Sequence, residues 1–169
     1  MKDGVVIVGA GHGGVQAAAS LREEGFDGPV ILVGEENELP YHKPPLSKTF
    51  LKEADARPQP LRGETFYDSH RIELRLGQRV ERLDIAAHRV ELVGGGRLDF
   101  GHLVLATGSR PRPLSVPGAQ YANISSLRSV ADARRIRDLA AGVQDIVVVG
   151  GGFIGLEMAA TLSGKGHAV

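Results

Sequence analysis

The 169 residues include no cysteine. That absence excludes a structural disulfide, a thiolate metal site and a redox-active cysteine pair at once. Net charge is missing too: twenty basic residues balance twenty acidic ones, whereas a nucleic-acid footprint needs a basic stripe or excess. The Arg-rich segment from Arg57 to Arg82 supplies no such stripe, because Glu64, Asp68, Glu73 and Glu81 interleave with its arginines. It reads as a solvated surface of mixed charge rather than a face for an acidic partner. No apolar run approaches the roughly 20 residues that cross a bilayer. The short run Val5 to Val8 follows closely on Met1 and leads into glycines, so it reads as a buried strand and not as a secretory signal. The expectation is a cytoplasmic protein with no membrane and no nucleic-acid partner, long enough for one ordinary domain and the start of another.

What the chain does have is glycine in a particular order. Val5 to Val8 is a continuous β-branched run, as expected for a strand buried on both faces of a parallel sheet. His12 to Glu24 reads as a helix closed by Gly25, and Val30 to Val33 as a second buried strand, which makes one βαβ unit. A Pro-rich loop fills Gly34 to Lys48. Arg79 to Leu83, Arg89 to Val93 and Arg97 to Phe100 predict an antiparallel meander. Leu103 to Ala106 resumes the apolar strand pattern and runs into a Pro- and Gly-rich linker. Ser129 to Ala141 predicts a helix with capping-box spacing between Ser129 and Asp132, and Ile146 to Val149 repeats the first strand. The predicted class is α/β: a Rossmann-like domain over residues 1–112, its parallel sheet joined by the meander, then the start of a second Rossmann-like domain over residues 113–169.

The duplication is the strongest internal feature. "VVIVGAGHGGVQAAASLREEG" (Val5 to Gly25) lies over "IVVVGGGFIGLEMAATLSGKG" (Ile146 to Gly166) without a gap, so two similar binding units are expected. Gly9, Gly11 and Gly14 have G-x-G-x-x-G spacing directly after a strand and opening a helix. The first permits a tight turn, the second lets a pyrophosphate approach the backbone, and the third lets the helix pack close to the strand. The phosphate then rests on free N–H groups at the helix N-terminus. Glu35, just past the second strand, stands where a ribose 2′-hydroxyl needs an acceptor. Gly150, Gly152 and Gly155 repeat the glycine spacing. The sequence stops at Val169, where the return strand of this second unit would be starting, and a piece of a longer enzyme is expected. His12 and His42 lack partners at metal-ligand spacing and read as loop residues, so no metal site is expected.

The first glycine turn, "LPYHKPPLSK", "LVLATGSRPR", "SLRSVADARRI" and "VVVGGGFIGLEMA", in that order, resemble the FAD-dependent NAD(P)H:ferredoxin reductases of the putidaredoxin and rubredoxin reductase kind. The likeness runs over the whole chain. It implies that the first unit holds FAD and the second NAD(P)H, that hydride passes from NAD(P)H to the flavin, and that a ferredoxin-like iron–sulfur protein takes the electrons. It assigns Gly9, Gly11 and Gly14 to the FAD pyrophosphate, Glu35 to the adenosine ribose, and Val80 to the adenine through backbone groups. Ala106, Thr107 and Gly108 match the strand end near FAD, and Arg128 matches an arginine that reaches the flavin cofactor. Lys43 stands where the family has arginine, a point charge in place of a fork of donors. Lys48 matches the lysine beside the isoalloxazine ring, and Glu157 its carboxylate partner, tying the two domains across the flavin. A unit charge about 4 Å from the reduced ring is worth roughly 4 kcal/mol at an effective dielectric near 20. Without the resemblance, Lys48 reads as a solvent-facing lysine and Glu157 as an ordinary helix residue.

The resemblance also places the chain in the two-dinucleotide-domain flavoprotein superfamily, whose disulfide reductases carry cysteines shortly after the second strand or ahead of the second glycine motif. Both regions are present here without any, so electrons are expected to leave the flavin by another route. Three alternatives on the same scaffold stay open: an NADH oxidase, the flavin unit of a nitrite reductase, and a relative of apoptosis-inducing factor. A non-catalytic, truncated dinucleotide-binding module is the alternative of a different class.

Overall fold

The structure is a computed structural model and describes residues 3–169. Its residues divide into two compact units, one of residues 3–41 with 60–109 and the other of residues 42–59 with 110–169.

The first unit is built on strand β1 (Val5–Val8), helix α1 (His12–Glu23) and strand β2 (Val30–Val33). Every residue of both strands is buried, which is why the sequence there runs apolar without alternation. Successive side chains point to opposite faces. Val5, Ile7, Val30 and Leu32 therefore pack with Val15 and Ala18 of α1, while Val6, Val8, Ile31 and Val33 meet Val90, Leu92, Leu98 and Phe100. Val90, Leu92 and Leu98 come from a three-stranded antiparallel meander, β4 (Val80–Asp84), β5 (Arg89–Leu92) and β6 (Arg97–Asp99), and Phe100 directly follows it. The meander covers the sheet face that no helix covers, in place of a second helical layer.

Two elements of this unit lack a strong sequence signal. Helix α3 (Glu64–Ser69) seats Tyr67 in the core, and β3 (Ile72–Arg75) pairs parallel to β2 at the sheet edge. Only Ile72 and Leu74 of β3 face the core cluster; Glu73 and Arg75 take the alternate positions, a charged decoration typical of edge strands. Arg22, in the last turn of α1, donates to the carbonyls of Phe26, Gly28 (2.8 Å), His70 (2.8 Å) and Arg71 (2.8 Å). One guanidinium thus ties the helix end to the turns that lead into β2 and β3. The four-stranded parallel sheet is completed by β7 (His102–Leu105), in the order β3-β2-β1-β7.

The second unit packs the 3₁₀ turn η1 (Pro44–Ser47) and the short helix α2 (Thr49–Lys52) against α4 (Val130–Ala140) and α5 (Phe153–Ser163). Leu46, Phe50, Leu51, Val130, Ala133, Ile136, Ala140 and Leu162 are its buried apolar residues. The capping box of α4 is present as the spacing predicts: Ser129 accepts from the Asp132 amide and Asp132 accepts from the Ser129 amide.

One expected element differs. Ile146 to Val149 is not a strand among the described residues; a single parallel bridge, Asp145 with Ala168, lies just before it. The physical reason is the ladder itself, since an extended segment becomes a strand only when its backbone groups are paired. The Ile146 amide donates to the Ala168 carbonyl at 2.8 Å, the counterpart of Val5 donating to Pro29 at 2.8 Å. That bond repeats the start of the pairing seen in the first unit.

Candidate functional site

The first glycine turn lies at the carboxyl ends of β1 and β7. Strand order runs from β1 to β2 and β3 on one side and to β7 on the other, so this is a topological switch point, where open α/β sheets bind ligands. Gly9 has φ +112°, and a Cβ there would lie 2.2 Å from the Ala106 carbonyl oxygen. On Gly14 a Cβ would lie 1.9 Å from the Gly9 carbonyl oxygen. Protein packing thus demands glycine at the first and third positions. At the second it does not: Gly11 has no protein atom within 4 Å of its would-be Cβ and an extended backbone, φ −88° and ψ −170°. Gly11 is the N-cap of α1 and supplies no side chain to the N–H groups of the first turn. An open face at the N-terminus of a helix fits the close approach of a dinucleotide pyrophosphate.

The other first-unit residues border the same sheet end. Glu35 follows β2, and its Oε1 pairs with Arg79 Nη1 at 3.1 Å. Residues 34–36 are zipped to residues 75–78 by backbone bonds, Gly34 to Arg75 (2.8 Å), Gln78 to Gly34 (2.9 Å) and Gly77 to Glu36 (3.0 Å). Val80 opens β4 opposite Leu92, with a register shift before Arg82. Ala106, Thr107 and Gly108 follow β7; the Ala106 amide donates to Val8, and Gly108 has φ +69°. Arg79 carries no sequence signal of its own, since its partner lies 44 residues away.

In the second unit the glycine turn recurs in its backbone, except that a Cβ on Gly150, unlike one on Gly9, would meet nothing within 4 Å. Gly150 has φ +114°, Gly152 caps α5 with nothing within 4 Å of a Cβ, and a Cβ on Gly155 would lie 2.2 Å from the Gly150 carbonyl oxygen. The same unit brings Lys48 and Glu157 together, Nζ to Oε1 at 3.0 Å. Lys48 joins η1 to α2. Lys43 is the N-cap of η1, and Arg128, whose amide donates to Asp132, immediately precedes the cap of α4. The second oxygen of Glu157 accepts from the Ser47 hydroxyl at 2.6 Å. That hydrogen bond, and then the Lys48 ammonium, hold the Glu157 carboxyl below the usual glutamate range. Ser47 is a partner that sequence reasoning does not reveal, because a lone serine has no diagnostic spacing. Its one signal is adjacency to Lys48.

Comparisons with known proteins agree on one family. A family model described as Pyridine nucleotide-disulphide oxidoreductase matches residues 3–169. The chain is 44% identical over 163 residues to rhodocoxin reductase of Rhodococcus erythropolis, a match that covers 96% of this chain and 38% of that protein. Among solved structures it resembles the ferredoxin reductase for the CYP199A2 system from Rhodopseudomonas palustris, with a TM-score of 0.92 and 41% identity over 98% of this chain and 41% of that one. It also resembles the covalent putidaredoxin reductase–putidaredoxin complex, with a TM-score of 0.88 and 42% identity over 98% of this chain and 40% of that one. The chain spans about two fifths of the length of these relatives.

Proposed function

The chain belongs to the pyridine nucleotide-disulphide oxidoreductase family, and on that premise we propose that it forms the flavin- and nicotinamide-binding part of an FAD-dependent NAD(P)H:ferredoxin reductase. The observation that carries this reading is the pair of glycine turns whose second glycines, Gly11 and Gly152, face open space where a side chain would cost the protein nothing. Such glycines are accounted for by a ligand that needs the room.

In this proposal residues 1–112 serve FAD and residues 113–169 serve NAD(P)H. Gly9, Gly11 and Gly14 receive the FAD pyrophosphate on the α1 amides, Glu35 accepts from the adenosine ribose, and Val80 offers backbone groups to the adenine. Ala106, Thr107 and Gly108 border the cofactor. Lys43, Lys48 and Arg128 are its cationic neighbours, and Gly150, Gly152 and Gly155 take the pyrophosphate of NAD(P)H. FAD, when bound, supplies hydride acceptance and onward transfer of single electrons. The chain's own work is to orient, to exclude water and to set local charge. Lys48 places a positive charge that favours the reduced ring, and Glu157 holds that lysine. With no cysteine in the chain, a thiol relay among these residues is excluded, which favours an iron–sulfur acceptor. The names of the relatives point the same way. The reading places the enzyme in the cytoplasm with a ferredoxin-like iron–sulfur protein as partner.

The test compares NADH-dependent reduction of a ferredoxin with oxygen consumption by the purified, flavin-loaded enzyme. Reduction of the ferredoxin well above oxygen turnover is expected. Turnover with oxygen alone would move the protein to the oxidase branch of the family.

A further inference from the structure

Helix α5 presents Glu157, Thr161 and Lys165 at intervals of four residues, so all three share one face. Each is bonded to the segment from Ser47 to Lys52. Ser47 Oγ donates to Glu157 Oε2 at 2.6 Å, Thr161 Oγ1 donates to the Ser47 carbonyl at 3.0 Å, and Lys165 Nζ donates to the Leu51 carbonyl at 3.1 Å. Ser47 joins this ladder through both its hydroxyl and its carbonyl. It is also buried, at 4% exposure, where a hydroxyl must find a partner. Its own turn offers only the Pro44 carbonyl at 3.4 Å, a far weaker geometry than the short bond to a carboxylate.

The division of labour at Glu157 matters. One oxygen takes Ser47 and the other takes Lys48, so the carboxylate cannot swing toward the ammonium without breaking its shorter bond. Lys48 is left with a single contact to Glu157, which leaves its other N–H directions unused by that carboxylate.

We infer that Ser47 is a positioning residue for the Lys48–Glu157 pair: its hydroxyl fixes the Glu157 carboxylate, and its carbonyl, through Thr161, fixes the helix that carries it. The inference rests on the proposed reading that Lys48 stands beside the flavin ring. Alanine at position 47 frees one carboxylate oxygen and lets Glu157 rotate, and the ammonium moves with it. Threonine keeps the donor. The charged residues on and capping the elements packed against α5 are Lys43, Lys48, Lys52 and Glu53, and Lys48 is the one whose charge acts on Glu157. Loss of the hydroxyl therefore raises the Glu157 midpoint toward the ordinary value of about 4.3.

The experiment uses the flavin-loaded enzyme and its S47A and S47T variants. Three quantities are followed: the flavin midpoint potential, the pH profile of single-turnover reduction by NADH, and the Glu157 carboxyl titration by ¹³C NMR, with the signal assigned through Glu157→Gln. For S47A we expect normal flavin content, a shifted potential, reduction slower by roughly ten- to hundredfold, an acid limb displaced to higher pH, and a raised Glu157 midpoint. S47T should return all of these toward the parent. A parent-like potential and midpoint in S47A would overturn the inference. So would an S47T as displaced as S47A, or an unaltered protein in which Glu157 titrates at the ordinary value. The titration needs no flavin, so it decides the role of Ser47 even where absent flavin binding has overturned the functional reading.

Discussion

The carbonyl oxygen of Gly9 occupies the space that a side chain on Gly14 would need, 1.9 Å from a Cβ built there. No rotamer change relieves a clash with backbone. Gly14→Ala gains about 1 kcal/mol of helix propensity and loses about 1–3 kcal/mol to overpacking, and the short distance puts the loss at the upper end. Chemical denaturation should show a net destabilisation. Gly13→Ala, whose Cβ would meet only Ala106 Cβ at 3.9 Å, should be neutral or stabilising in the same assay.

Gly11→Val separates folding from binding. The backbone there is extended and the space is open, so the variant should melt within about 1 kcal/mol of the parent, the scale of an N-cap change. Its flavin content should nevertheless be lost, because the valine fills the face assigned to the pyrophosphate. A folded variant with normal flavin would count against that assignment.

Lys48→Met should keep flavin content and change the flavin's behaviour, by slowing reduction by NADH or shifting the midpoint potential. Stopped-flow absorbance and a redox titration check this. Unchanged kinetics and potential would return Lys48 to the role of a surface residue.

Asp99 faces Arg89 across β5 and β6, Oδ1 to Nε at 2.8 Å. The hydrogen bond and charge of Arg89 hold the Asp99 carboxyl below the usual range. A depressed carboxyl contributes stability that is present above its unfolded value, near 3.9, and is lost as pH falls through the lower folded value. Asp99→Asn should therefore show a smaller drop in melting temperature between pH 5 and pH 2 than the parent does.

Tyr67 is 1% exposed, and its hydroxyl has no hydrogen-bond partner among the described residues. Burial pushes its phenol up from the ordinary value. An unsatisfied buried hydroxyl costs about 1–3 kcal/mol, so Tyr67→Phe should leave stability unchanged or raise it by about 1 kcal/mol, as measured by denaturant unfolding.

The fold was legible where one element carried its own physical signal. Val5 to Val8 is apolar throughout because α1 covers one face and the meander the other, and Ser129 with Asp132 announces α4 by spacing alone. Residues 64–75 gave no such signal: β3 is four residues with charge at two of them, and it exists because β2 offers it a ladder. Ile146 to Val149 shows the converse, a strand pattern with a single bridge just before it. The glycine spacings and the place of Glu35 just past β2 were readable because they are local in the chain, each set by an adjoining strand or helix. Ser47 and Arg79 were not. Their partners lie 110 and 44 residues away, and only folding reveals such pairs.

The most direct test of the whole account is an absorbance spectrum of the longest expressible polypeptide that carries this chain, taken before and after addition of NADH or NADPH. Flavin bands that bleach on addition of a reduced nicotinamide are the expected result. A folded protein that stays colourless when supplied with FAD, and indifferent to both nucleotides, would contradict it.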